Sequence, residues 1–194
     1  MKIVKNGFSD YSDEELMLAI QHGEKPAFNE LYARYSNKLY GYLLKMLWYN
    51  EVRAQDLLQD LFAKIITQPH LFDPQRSFKT WVYTIAANLC KNEFKRNDVR
   101  KGTLNGVDQF HSLSSNENLE KNFSESQFRE ALSQELKRLD EKHREVFVLK
   151  HIDGLSIKEI SEITGANEGT VKSRLFYAIK KLADSLKMFE YALI

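Results

Sequence analysis

The stretch SIKEISEITGANEGTVKSRLFYAIKKL, Ser156 to Leu182, decides how the C-terminal half of the chain folds. Ser156 with Glu159 three residues on is a capping box, in which each side chain bonds to the other's backbone N–H. The short helix it opens turns Ile160 and Ile163 inward, and Gly165 supplies the left-handed residue that ends a helix and reverses the chain. Asn167 then caps a second helix with Val171, Leu175, Ala178 and Leu182 on its inward face. Two short helices around a glycine turn, the second one basic, make a helix-turn-helix. The outward side of the second helix presents Glu168, Gly169, Thr170, Lys172, Ser173, Arg174, Phe176 and Tyr177. Lysine, arginine and serine there can bond guanine or phosphate, and Phe176 can touch a thymine methyl, so these residues are expected to bind DNA. The alternative is an ordinary surface helix of a three-helix bundle whose lysines are solvated.

Upstream of this motif, Phe128, Leu132, Leu136 and Leu139, then Val146, Phe147 and Leu149, continue a helical pattern that completes a domain over 127–194. Residues 102–126 are rich in Ser, Asn, Gly and Glu without periodicity and are expected to be a flexible linker. A first helical domain is expected over 1–101. Ser12 and Glu15 form another capping box ahead of Leu16, Ala19 and Ile20, and Gly23 ends that helix. A longer helix starts near Pro26 and repeats Phe28, Leu31, Tyr32, Tyr35, Leu39, Tyr42, Leu43, Met46 and Leu47. The next helix gathers Leu57, Leu58, Leu61, Phe62, Ile65 and Ile66 on one side, leaving Asp56, Gln59, Asp60 and Ala63 on the other. After a loop marked by Pro69 and Pro74, Phe78, Trp81, Val82, Ile85 and Leu89 define a buried stripe. Thr80, Thr84, Asn88, Lys91 and Lys95 are expected on the opposite, polar face, which turns basic toward its C-terminal end. The fold class is therefore all-α: two small helical domains joined by a flexible linker.

Composition agrees with long helices, since the 194 residues include only 3 prolines and 8 glycines, with 43% apolar residues to fill cores. The net charge of +1 hides opposed segments. Residues 91–101 carry five cations against two carboxylates, and residues 172–187 carry five against one. The stretch between the domains is acidic, so two polyanion-facing surfaces flank an acidic spacer. One cysteine, Cys90, excludes an intrachain disulfide, and no Cys/His cluster has zinc-ligand spacing. No cofactor is expected. The first residues lack the apolar core of a signal peptide and no apolar run approaches membrane-spanning length, so a cytoplasmic protein without membrane insertion is expected.

The segments AFNELYARYSNKLYGYLLKML, AQDLLQDLFAKI, SFKTWVYTIAANLCKNEFKR and LDEKHREVFVLKHIDGLSIKEISEITGANEGTVKSRLFYAIKKL, in this order and spacing, resemble the extracytoplasmic-function (ECF) group of bacterial sigma factors. The resemblance spans nearly everything from Glu14 to Leu182 except the spacer. It implies that the first domain corresponds to sigma region 2 and the second to region 4. On that footing Asp56, Gln59, Asp60 and Ala63 would dock on the clamp coiled coil of the largest subunit of core RNA polymerase. The helix bearing Thr80, Tyr83, Thr84, Asn88, Lys91 and Lys95 would melt promoter DNA and hold its downstream element. The helix-turn-helix would read the upstream element in the major groove. The resemblance further implies an anti-sigma partner and a protein that is not itself an enzyme. Two rival readings are a sigma-like decoy that only sequesters such a partner, and a stand-alone helix-turn-helix regulator. The segment entering at Asp140 departs from the family in lacking a proline ahead of its helix.

Overall fold

Eight α-helices are described in a computed structural model covering residues 7–103 and 123–186. The first is α1 (Asp13–Gln21), opened by the expected capping box: Glu15 N donates to Ser12 Oγ at 3.1 Å and Ser12 N to Glu15 Oε2 at 2.8 Å. Arg34 on α2 (Lys25–Met46) donates to Asp13 at 2.9 Å, to Glu30 at 2.8 Å and to the Ser9 and Tyr11 carbonyls. The Tyr35 hydroxyl also donates to Asp13. These bonds fix the entry segment on α2. Past its C-terminus, Trp48 and Tyr49 both take left-handed backbone, with φ of 54° and 63°. Asn50 then caps α3 (Glu51–Thr67) by accepting from Arg53 N at 3.0 Å.

The apolar side of α3 buries Leu57, Leu58, Leu61, Phe62 and Ile65. Ile66, expected in that stripe, is exposed, and so is Tyr32 of α2. Both sit at the margin of their stripes, and the Tyr32 ring leans on Phe62 at 4.7 Å instead of entering the core. Phe72 in the following loop is buried, and Gln21 donates to the Pro69 and Phe72 carbonyls at 2.9 and 3.0 Å. The loop leads into α4 (Phe78–Thr103), whose first N–H donates to Glu14 of α1 at 2.9 Å. Cys90 is buried on α4, and that burial pushes its thiol pKa up to about 12.

Of the expected linker, residues 104–122 lie outside the described residues; α4 runs on to Thr103 and α5 (Phe123–Arg138) begins inside that stretch. Asp140 caps α6 (Glu141–Phe147) by accepting from Lys142 N at 2.8 Å, doing what a proline cannot. A π-helical turn, Val148–Ile152, prolongs α6 and ends at Asp153 and the left-handed Gly154. The second capping box opens α7 (Ile157–Thr164), with Ser156 N on Glu159 at 2.7 Å and Glu159 N on Ser156 at 3.2 Å. Gly165 ends it at φ +70°, as the turn requires. Asn167 accepts from Thr170 N at 2.8 Å at the start of α8 (Glu168–Leu186). The all-α class and the helix-turn-helix are therefore as expected.

The two halves pack on one another. Val146, Val148, Leu149, Leu155, Ile160, Ile163, Val171 and Leu175 share one buried cluster with the core residues of α1–α4. Leu136, Leu139, Ala178 and Leu182 form a separate small cluster that closes α5 on α8. The seam runs chiefly between α4 and α7.

Candidate functional site

Three surfaces carry the residues singled out from the sequence. On α3, Asp56, Gln59, Asp60 and Ala63 are all exposed, opposite the buried apolar side. Arg53 bonds Asp56 at 3.2 Å and reaches Glu93 of α4 at 2.6 Å, a pairing that raises the Arg53 pKa chiefly through the Glu93 hydrogen bond. Asp60 has no such local cation among the ion pairs of the described residues, so its carboxylate faces outward beside Ala63.

The α4 surface corrects the expectation that six polar residues share an open face. Asn88 and Lys95 are exposed, Thr84 and Lys91 are half-buried, but Thr80 is only 9% exposed and Tyr83 only 1%. The physical reason is the second half of the chain. Lys79 meets Glu159 of α7 at 3.4 Å and Lys91 meets Glu145 of α6 at 3.6 Å, so α6 and α7 roof this part of α4. The Tyr83 ring packs edge-on against Tyr42 at 5.6 Å, with the Asp153 carboxylate nearby. Burial and that neighbouring carboxylate both push the Tyr83 pKa upward. Trp81, expected in the core, is half-buried against it, between Phe72 at 5.1 Å and Phe78 at 5.9 Å.

On α8, Glu168, Gly169, Lys172, Ser173, Phe176 and Tyr177 are exposed, while Thr170 and Arg174 are half-buried. Phe176 is 62% and Tyr177 60% exposed, and their rings meet edge-on at 5.6 Å. Two adjacent aromatics held in water midway along a basic helix are costly for a monomer and suit a contact surface. Val171, Leu175, Ala178 and Leu182 anchor the opposite side in the two cores.

Residues 31–100 match the Sigma-70 region 2 family, and residues 129–182 match Sigma-70, region 4. RNA polymerase sigma factor YlaC of Bacillus subtilis (strain 168) is 31% identical over 170 residues, covering 84% of this chain and 93% of YlaC. The chain belongs to the ECF sigma factors. The ECF sigma factor BldN of Streptomyces coelicolor is 32% identical over 173 residues, which cover 87% of this chain and 64% of BldN; the chain thus spans just under two thirds of that relative. The backbone is similar to that of sigma factor RpoE in its co-crystal structure with the anti-sigma factor NepR from Bartonella quintana. There the TM-score is 0.71 at 21% identity, covering 82% of this chain and 96% of RpoE, a likeness that concerns the fold. As a sigma factor, the protein binds core RNA polymerase and directs promoter recognition and transcription initiation.

Several residues of this sigma factor that shape the site carry no functional signal in the sequence. Arg144 is fully buried, lies 4.5 Å over the Trp48 ring and 5.9 Å from Phe94, and its guanidinium nitrogens have no hydrogen-bond partner. Glu145, 5% exposed, sits against Lys91, and its pKa is raised by burial despite that lysine. Asp153 is held between the halves of the sigma factor; burial raises its pKa to about 6 against the opposing pull of Lys45, the Tyr83 hydroxyl, Lys79 and Lys38. In the sequence these are charges within a charged run, and only the packing of α6 against α2 and α4 shows otherwise.

Proposed function

We propose that the sigma factor attaches to polymerase through Asp56, Gln59, Asp60 and Ala63, which dock on the clamp coiled coil of the largest subunit. Thr80, Tyr83, Thr84, Asn88, Lys91 and Lys95 of α4 take the displaced non-template strand of the downstream promoter element. Bases leave the duplex into apolar and aromatic walls, and the lysines neutralise phosphates. Glu168, Gly169, Thr170, Lys172, Ser173, Arg174, Phe176 and Tyr177 enter the major groove of the upstream element. The units doing this are residues 1–101 and 127–194, tethered by 102–126, so that weak contacts at each end add up only when both engage. RNA synthesis itself stays with polymerase, and no catalytic role falls to this chain. The factor works in the cytoplasm, where an anti-sigma partner restrains it; relatives of this fold have been crystallised with such partners.

What supports the attachment surface is one observation: the four α3 residues are exposed together, on a helix whose other side is core, and an acidic face is left open to solvent. No described helix is long and apolar enough to cross a membrane. The test is co-purification with core polymerase followed by transcription from a matched promoter. Asp60→Lys is expected to abolish association while the far-ultraviolet circular dichroism stays that of the parent. Retained association would place the docking surface elsewhere. Polymerase binding without a transcript from any genomic promoter would favour a decoy.

A further inference from the structure

We propose that the Trp48–Tyr49 turn is the socket of an intramolecular latch: it seats Arg144 and Lys137 from the second half of the chain and holds closed a protein whose strand-binding face lies covered. The inference rests on the DNA role proposed for α4.

The turn itself is the first observation. Two consecutive bulky aromatics stand at φ 54° and 63°, a region that L residues with large side chains avoid because Cβ crowds the following carbonyl. Such backbone persists only where its surroundings over-determine it. Within the turn, Tyr49 N donates to the Leu44 carbonyl at 2.8 Å and Asn50 N to that of Leu47 at 3.1 Å. The side chains find partners on α4 and, across the seam, on α5 and α6. The Trp48 ring meets Phe94 edge-on at 5.0 Å and takes the Arg144 guanidinium at 4.5 Å; the Tyr49 ring takes Lys137 Nζ at 5.4 Å. Each ring of the turn thus holds a cation from α5 or α6.

The second observation is what this closure covers. Thr80 and Tyr83 are buried, and Glu145 and Glu159 stand against Lys91 and Lys79 where strand phosphates would otherwise pair. Closure and strand capture therefore use the same groups and exclude one another. A ligand that binds only the open form sees its affinity divided by the open fraction.

The third is how loosely the latch holds. Arg144 is seated on ring faces with Glu141 and Asp140 as its nearby carboxylates, and none of its guanidinium nitrogens has a hydrogen-bond partner among the described residues. A cation buried in this way regains its hydration as soon as the halves part, which makes the closed form reversible.

The experiment uses the full chain. Cysteines replace Lys79 and Glu159 and are joined by a short bismaleimide; Cys90 is buried and does not compete. The uncoupled variant, which lacks the Lys79 cation, is expected to bind a single-stranded oligonucleotide of the downstream promoter element more weakly than the parent but measurably, and to transcribe with core polymerase; the effect of coupling is read against this variant. Coupling is expected to lower oligonucleotide affinity at least tenfold and to suppress the transcript. In parallel, Trp48→Asn keeps a residue that tolerates left-handed backbone while removing the ring under Arg144. It is expected to raise oligonucleotide affinity severalfold and to enlarge the radius of gyration in small-angle scattering. A coupled protein that transcribes as well as the uncoupled one overturns the latch, whatever the behaviour of Trp48→Asn. An uncoupled protein that binds polymerase yet never captures the oligonucleotide sinks the α4 reading, and the latch with it.

Discussion

Replacing Asp153 by asparagine should remove a specific part of the protein's pH dependence. The carboxyl pKa rises from 3.8 to about 6 because the group is buried where α2 and α4 meet the end of the π-helical turn. The facing groups are Lys45 and Lys38 on α2 and Tyr83 and Lys79 on α4; together they offset part of the desolvation without cancelling it. The folded protein therefore binds this proton more readily than the unfolded chain does. Stability from this group increases as the pH falls through about 6 and levels off below the unfolded value. A rise of this size corresponds to about 3 kcal/mol over the whole range, of which about 1 kcal/mol is gained between pH 7 and 5. For a chain of this size that amounts to about 2–4 °C in Tm. Asparagine keeps the size and polarity of the side chain near Tyr83 and has no proton to bind. Thermal melts of parent and variant at pH 5, 6 and 7 isolate the effect, because Glu145, Glu141 and Glu159 titrate in both proteins. The parent's Tm should gain on the variant's as the medium is acidified. Parallel curves, or a parent that loses ground toward pH 5, would refute the assignment of that proton to Asp153.

Other outcomes follow from single side chains. Lys172→Ala should weaken promoter binding and reduce the slope of log affinity against log salt by about 1, with polymerase association intact. Ser156→Ala removes half of a capping box whose two bonds are 3.2 and 2.7 Å long, and should cost about 1 kcal/mol in urea denaturation with little change in the slope of the transition. Leu61→Ala, at a fully buried α3 position, should cost about 2–5 kcal/mol by the same measurement. An effect below about 1 kcal/mol there would mean that α3 does not pack as described.

What could be read from the sequence was local. Two capping boxes, Gly165 and Asn167 act within a few residues of themselves, and each is found where its spacing put it. The α3 face was equally legible, since a helix with one apolar side must leave the other open. Thr80 and Tyr83 are buried rather than exposed for the opposite reason. Helical periodicity assigns Thr80 to the polar side of α4 and the resemblance adds Tyr83; α6 and α7, remote in sequence, cover that side, and Tyr83 also packs on Tyr42 of α2. Ile66 and Tyr32 lie at stripe margins, where a hydrophobic pattern cannot say how far the neighbouring helix reaches. Arg144 and Glu145 look like solvated charges until their surroundings are known. Nothing in the letters Trp48 and Tyr49 announces left-handed backbone, because turn-forming residues are usually glycine or asparagine.

The position of Cys90 bears on how this factor can be governed. Its sulfur is walled in by the core, and its proton is held far above physiological pH, so there is no accessible thiolate to attack a peroxide or a disulfide. With one cysteine in the chain, thiol-based sensing of oxidants has no foothold on the factor itself. An oxidising cue that works through a thiol reaches it second-hand, carried on another molecule.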